Sequence, residues 1–447
     1  MLALAVLLGL AAADTTSYVV LNHGRPAGEM LVVATGDTVV VKYHHVDRQR
    51  GPRVETRYRI SNGRVVGGET WQLPLYGPAP VPLPAPADRF EVVRDSVLWT
   101  ARDERRAAPF IPGAFYRLRS GTPFDIALLA RHLLAQPRRT AALLPGGTAR
   151  LEIVADTALR GRTGNQRVKL AVVWTGSSPV GSAVWLDGND ELLASQVSWF
   201  ITVRRGHEDL LPAMRAIEIA YRNREGEALA RAVGPRPASA IDIVNGNVFD
   251  SERGIMLPRT TVVVQGERIV AVGPSASAAV PRGATVIDAT GKTVMPGMWD
   301  MHTHFQLTSQ SRNSPSQLAN GITSIRDLAA DVDVAVSHRD RAADGRLVSP
   351  RAILGGFIEG PGRWAGPTEV IVHTEDEARG WVARYDSLGY RQIKIYNLVQ
   401  QDLVPAIADE ARKRGLRLSG HVPRGLSTPA AVILGFDEIN HAARCAA

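Results

Sequence analysis

Four histidines and one lysine carry the chemistry this sequence can do. His302 and His304 stand two residues apart in GMWDMHTHF, His421 closes RLSGH, His441 lies in FDEINHA, and Lys394 sits in YRQIKIYN between Ile393 and Ile395. Side chains alternate along a strand, so residues two apart share a face, with backbones about 7 Å apart. Two imidazoles at the end of one strand can both reach a divalent ion at the ordinary Zn–N distance of about 2.0–2.1 Å. Core packing also produces an isolated His-x-His. Lysine is almost never fully buried without a partner, and this chain has only five lysines. Two readings of Lys394 therefore stay open. Either its strand turns the ammonium to solvent, or the amine condenses with carbon dioxide. A carbamate is an anion with two oxygens that can bridge two cations, and it removes the cost of burying an ammonium.

What links the five side chains is the elements that must position them. From residue 293 onward, strand-like and helix-like segments alternate. The predicted strands are 294–302 (extending to 304 for the His-x-His), 321–327, 351–357, 391–396, 417–422 and 436–441, with helices such as 374–389 and 402–415 between them. That order predicts a parallel α/β architecture. All five side chains fall at C-terminal strand ends, which converge on one rim in a parallel barrel. Tyr396 shares a strand face with Lys394, and Arg424 follows His421 by three residues. Each can reach a substrate at such a rim, Arg424 through a two-pronged grip on a carboxylate. Barrel packing for Tyr396 and solvation for Arg424 are the plainer alternatives. Six strands make an incomplete (β/α)8, TIM-like barrel, so the chain is expected to be a C-terminally truncated piece of a longer protein. Such a piece would expose strand edges and apolar surface and dissolve poorly.

Upstream, the texture differs. Residues 15–235 are predicted as a mostly antiparallel β domain with an inserted helix in PFDIALLARHLLAQ. The proline-rich PLYGPAPVPLPAP reads as an extended surface connection, and Asp187-Gly188-Asn189-Asp190 as a turn. His44 and His45 are adjacent on a predicted strand and point to opposite faces, which makes them poor co-ligands. Residues 207–233 read as a helix, and Gly234-Pro235-Arg236-Pro237 as a linker. Residues 236–292 form a small β unit, and 293–447 the barrel segment. At the front, LALAVLLGLAAA resembles the core and cleavage end of a secretory signal over residues 1–14, although nothing basic precedes Arg25. Export to the periplasm or exterior is the expectation.

Composition limits the alternatives. The chain has 447 residues, 45% hydrophobic and 21% charged, which excludes a disordered or collagen-like protein. The single cysteine, Cys445, excludes an intrachain disulfide and a thiolate zinc site. The net charge of +8 comes from the front: 29 basic against 22 acidic residues precede Arg236, and 23 against 22 follow from it. The arginines are interspersed with acids, so a solvated surface is expected and no nucleic-acid partner. No apolar run of about 20 residues predicts a membrane span.

GKTVMPGMWDMHTHF, IKIYN, LSGHVP and INHA together resemble the amidohydrolase superfamily. They look most like its branch with two metals and a carboxylated lysine, which includes imidazolonepropionase-like and prolidase-like proteins. The resemblance covers about residues 241–447, and residues 241–289 resemble the β-sandwich that flanks those barrels. It implies that His302 and His304 bind the more buried of two divalent metal ions, that carboxylated Lys394 bridges both, and that His421 and His441 bind the more exposed one. Imidazole and carboxylate ligands suit zinc without excluding other divalent ions. The implied activity is hydrolysis of a carbon–nitrogen bond, in a non-peptide amide, a cyclic amide or a dipeptide, by a metal-bridging hydroxide. The family's remaining ligand, an aspartate ending the eighth strand, has no counterpart in this sequence, which puts the activity of this chain in doubt. Substrates would be small molecules or short peptides, and homo-oligomerisation is compatible with the sequence. Three rivals remain: a mononuclear deaminase of the same superfamily, a lactone or phosphotriester hydrolase, and an exported binding or scaffold protein with a vestigial barrel. The deaminase pattern needs a glutamate soon after His421, where Val422, Pro423, Arg424 and Gly425 stand instead.

Overall fold

The computed structural model describes residues 14–101, 104–119, 121–176, 180–195, 199–234, 239–279, 281–305 and 313–441. The apolar leader up to Ala13, residues 235–238 of the linker, and Cys445 lie outside the described residues.

Residues 14–204 build one fifteen-stranded sheet. Its first strand, Asp14–Asn22, pairs with Arg25–Thr35 on one side and with Phe200–Arg204 on the other, so the two ends of this region zip together. From that seam the strands meander outward on both sides. They are antiparallel throughout, except where Phe115–Tyr116 runs parallel to Thr140–Leu144. The unbroken SYVVLN run follows from burial on both faces. Tyr18 and Val20 belong to one core, Val19 and Leu21 to the other. On the first face, helix Pro123–Leu134 packs Phe124, Leu129 and Leu133 against Met30, Tyr58 and Phe90 from early strands and Leu151, Val173 and Leu186 from late ones, so the sheet curls around it. This helix starts in a capping box, where the Thr122 backbone N–H donates to Asp125 Oδ2 over 2.9 Å. The second face is covered by helix Leu211–Val233, with Met214 and Tyr221 against Leu170, Trp185 and Leu193. The proline-rich segment connects Arg64–Gln72 to Asp88–Val93, and the Asp-Gly-Asn-Asp turn joins Ser182–Asp187 to Leu192–Ser195.

The small β unit departs from expectation. Ile241–Asp250, Ile255–Gln265 and Arg268–Pro274 pair antiparallel, and Thr285–Asp288 and Thr293–Val294 add parallel to the first. This is one five-stranded sheet, not a sandwich. A sandwich buries its inner faces against each other. Among the described residues no second sheet covers this one, and Ile269, Val270, Val272 and Val286 stay more than half exposed.

The remaining strands, Met298–Thr303, Ile322–Asp327, Arg351–Ile358, Gln392–Ile395, Arg417–Gly420 and Glu438–Ile439, lie side by side in sequence order, each parallel to the next. Helices Val332–Ala343, Glu375–Ser387 and Val404–Lys413 are among those that join them. The first strand starts later than its apolar run suggests. Residues 293–294 pair with the small sheet, and Pro296-Gly297 separates the two roles. Gly297 lies so close to Thr323 that a Cβ would come within 2.0 Å of Oγ1. The six strands curl into half of a barrel. Arg326 on the second strand reaches across the interior to Glu438 on the sixth, with Nη1–Oε2 at 2.6 Å and Nη2–Oε1 at 2.7 Å.

The β domain is tied to this half-barrel by side chains. Arg25 donates to the carbonyls of Gly366 (2.8 Å) and Thr368 (3.0 Å), and Arg215 donates to Asp331 (3.0 Å) and Asp333 (2.5 Å). The loop receiving Arg25 is held by the buried Glu359 carboxylate, which accepts from the backbone N–H groups of Gly360, Gly366 and Leu398.

Candidate metal centre

The parallel alignment of the strands brings their C-terminal ends to one mouth, and the sequence puts its histidines there. His302 is near the end of the first strand and His304 just past it. Lys394 lies on the fourth strand, His421 follows the fifth, and His441 follows the sixth. The imidazoles of His302 and His304 have ring centroids 5.1 Å apart, His302 and His441 4.9 Å, and His421 and His441 4.6 Å. Lys394 Nζ lies 3.5 Å from His302 Nε2. All five line one cleft of about 540 Å³, together with Tyr396, Asn397, Trp199 and Arg48. Tyr396 stands 4.1 Å from the His421 ring, centroid to centroid. Arg424 is exposed and is not among the residues lining the cleft.

The alternation of the fourth strand explains how a lysine sits between two isoleucines. Ile393 and Ile395 face the helices and pack with Val382 and Ile407. Gln392 and Lys394 face the interior, where the Gln392 amide donates to Ser419 Oγ and Lys394 stands beside His302. Lys394 is 1% exposed. Among the described residues, no carboxylate lies within ion-pair distance of its ammonium. Burial lowers its pKa to about 8, against the opposing pull of the Asp327 charge. Burial, followed by the positive charge of Lys394, pushes His302 down to about 4 and His304 to about 3. Both are then neutral imidazoles near pH 7, the form that offers a lone pair to a metal. His441 has φ +70, a strained conformation for a side chain of its size, found beside the other imidazoles.

Two observations bear on whether these residues fit a metal ion. His304 Nδ1 is buried without a hydrogen-bond partner, a costly state that a bound cation would relieve. His421 Nδ1 lies 3.0 Å from Asn397 Oδ1, so donation to Asn397 puts the lone pair on Nε2, as in metal-ligating histidines oriented by a neighbour. The donor types and their gathering therefore suit a metal. The spacing is not that of a closed site: among the described residues, no three or more His, Cys, Asp or Glu side chains already stand in an arrangement that holds an ion.

No family profile matches the chain. It is 40% identical over 80 residues to an adenine deaminase of Rubrobacter xylanophilus, covering 18% of this chain and 13% of that protein. Over 126 residues it is 32% identical to an imidazolonepropionase of Anaeromyxobacter dehalogenans, covering 26% of this chain and 30% of the relative. The chain belongs to the amidohydrolase superfamily. It spans less than a third of the length of either of these relatives. Among solved structures, this amidohydrolase-superfamily chain aligns with phenylurea hydrolase B at 25% identity, over 46% of this chain and 60% of the other, with a TM-score of 0.38.

Sequence reasoning missed several residues at this superfamily site. Asn397 closes the IKIYN motif, and its place just beyond a strand end was the available signal. Asp327 ends the second strand, is fully buried, and accepts from the backbone N–H groups of Phe305 and Ala329 (2.5 and 3.1 Å), which holds the chain just after His304. Burial raises its carboxyl to about 7. Arg48 and Trp199 come from the β domain, and nothing local in the sequence marks them.

Proposed function

We propose that this chain is a metal-dependent hydrolase of carbon–nitrogen bonds in non-peptide amides, cyclic amides or dipeptides, working at the cleft of His302, His304, Lys394, His421 and His441. One observation carries the reading: four imidazoles and a buried lysine that has no carboxylate partner among the described residues, distant in sequence, line a single cleft. The six-stranded half-barrel is read as part of a (β/α)8 barrel, and the apolar leader as an export signal.

In this reading the four histidines and Lys394 hold two divalent ions, zinc by ligand type. Bound ions of this kind polarise a carbonyl and lower the pKa of water. Lys394 contributes as a carbamate. Its neutral amine attacks carbon dioxide, forms an N–C bond and releases one proton to solvent. A pKa near 8 makes that neutral form accessible near pH 7. Asn397 orients His421, Asp327 fixes the backbone after His304, and Tyr396 presents its hydroxyl to the substrate.

The test is to load the purified chain with zinc and bicarbonate, count bound metal, and assay dipeptides, lactams and aryl amides. About two ions per chain with turnover of a panel member is expected. Negligible metal and no turnover would overturn the reading. The adenine deaminase relative favours one second reading, a deaminase, which would release ammonia from adenine with about one ion per chain.

A further inference from the structure

One wall of the cleft does not belong to the half-barrel. The turn between Thr38–His45 and Arg53–Ser61 of the β domain reaches over it, and Arg48 Nη1 donates a hydrogen bond to the Tyr396 hydroxyl. The turn is tight. Asp47 and Arg50 exchange both backbone hydrogen bonds, at 2.6 and 3.0 Å, and the tip residues Arg48 and Gln49 have φ +53 and +72. A two-residue hairpin turn of this hand favours Asn and Gly at both positions. Arginine adopts it only with strain, and strain of this kind collects at functional sites.

The guanidinium is held as a fork. Nε donates to Asp47 Oδ1 at 2.7 Å and Nη2 to Asp47 Oδ2 at 2.5 Å, which leaves Nη1 on the Tyr396 side. Burial works against its charge, but the contacts with Asp47 and Tyr396 outweigh it and keep the group cationic. Arg48, Arg50 and Lys394 line the cleft, and among the described residues no Asp or Glu does. A purely structural role is already filled, because Arg25 and Arg215 tie the β domain to the half-barrel elsewhere.

We propose that Arg48 is a specificity residue of this cleft, lent by the β domain, and that its guanidinium receives a carboxylate of the substrate. The inference rests on the hydrolase reading of the same cleft. With Nε and Nη2 held by Asp47, the N–H groups of Nη1 are the ones left to meet that carboxylate, and the planar guanidinium keeps them aimed in a way that a rotatable lysine ammonium does not.

The experiment uses paired probes on the full chain: alanyl-leucine against alanyl-leucinamide, and pyroglutamate against pyroglutamamide. Wild type is expected to prefer the acid of a pair. In Arg48→Met the acid-to-amide ratio of kcat/KM falls by on the order of 30-fold or more, mainly through KM, and Arg48→Lys recovers part of it. Calorimetric binding of N-acetyl-leucine against N-acetyl-leucinamide reads the same preference without turnover, so it decides the matter even if no substrate is hydrolysed and the hydrolase reading fails. An unchanged acid-to-amide ratio in folded Arg48→Met, in whichever of the two readouts gives signal, would overturn the proposal. So would a wild type that prefers neither member of a pair.

Discussion

Two buried cations lie inside the same curled sheet, and the chain treats them in opposite ways. Deep in the interior, Arg326 is met by both oxygens of Glu438, by the Met301 carbonyl at 2.7 Å and by Gln392. At the mouth, Lys394 is more completely buried, yet its polar neighbour is an imidazole 3.5 Å away and, among the described residues, no carboxylate stands within ion-pair distance of it. Leaving a buried charge without a counter-ion costs several kcal/mol, whereas a paired one with good geometry roughly breaks even. The interior shows that this fold can supply the acid. Its absence at the mouth is what a site awaiting further chemistry looks like.

The largest effect should come from removing the uncompensated cation. Lys394→Met keeps the volume and deletes the amine. Turnover is expected to fall on the order of a thousandfold, or about 4 kcal/mol of transition-state stabilisation. The thermal midpoint of the metal-free, bicarbonate-free protein should hold or rise, since an unpaired ammonium has been replaced by an apolar chain. A lower midpoint in that variant would make Lys394 a structural residue and end the contrast.

Arg326→Met should do the reverse. It strands Glu438 and removes the bonds to Met301 and Gln392, so urea unfolding is expected to show a loss of about 2–3 kcal/mol. That is less than for a fully buried pair, because Glu438 retains some access to water. Arg326→Met with Glu438→Leu should recover most of that loss. A single-variant loss below about 0.5 kcal/mol would mean the pair is no better placed than a surface one.

How much of this could be read beforehand follows the range of the interactions involved. The Ile-Lys-Ile alternation put the lysine on the face opposite its isoleucines but left open whether that face met solvent or the interior, and the histidines at the ends of the first, fifth and sixth strands pointed to a shared mouth, because parallel order turns sequence position into spatial position. The helix beginning at Pro123 was written in its own capping residues. Pairings set by tertiary closure were not readable. Nothing near Asp14 says that its strand will meet Phe200–Arg204. Nothing near Arg48 says that a turn tip will touch Tyr396, 348 residues away. The small β unit shows a third kind of gap: its strands were legible one by one, but whether a second layer covers them depends on what packs there.

The smallest expected effect isolates the charge of the interior pair. Arg326 holds the Glu438 carboxyl below its ordinary range, and burial opposes this only in part. A depressed carboxyl contributes stability above its unfolded pKa and loses it as pH falls through the lower folded value. Wild-type stability should therefore decline on acidification from about pH 5 downward more steeply than that of Glu438→Gln, which keeps an acceptor but has no charge to lose. With Glu438 partly solvated, screening limits the difference near neutrality to about 1 kcal/mol, and the two curves should converge at low pH. Parallel curves in urea titrations from pH 7 to 3 would mean that the Arg326–Glu438 contact works through shape and hydrogen bonding, and that the mouth differs from the interior in geometry more than in charge.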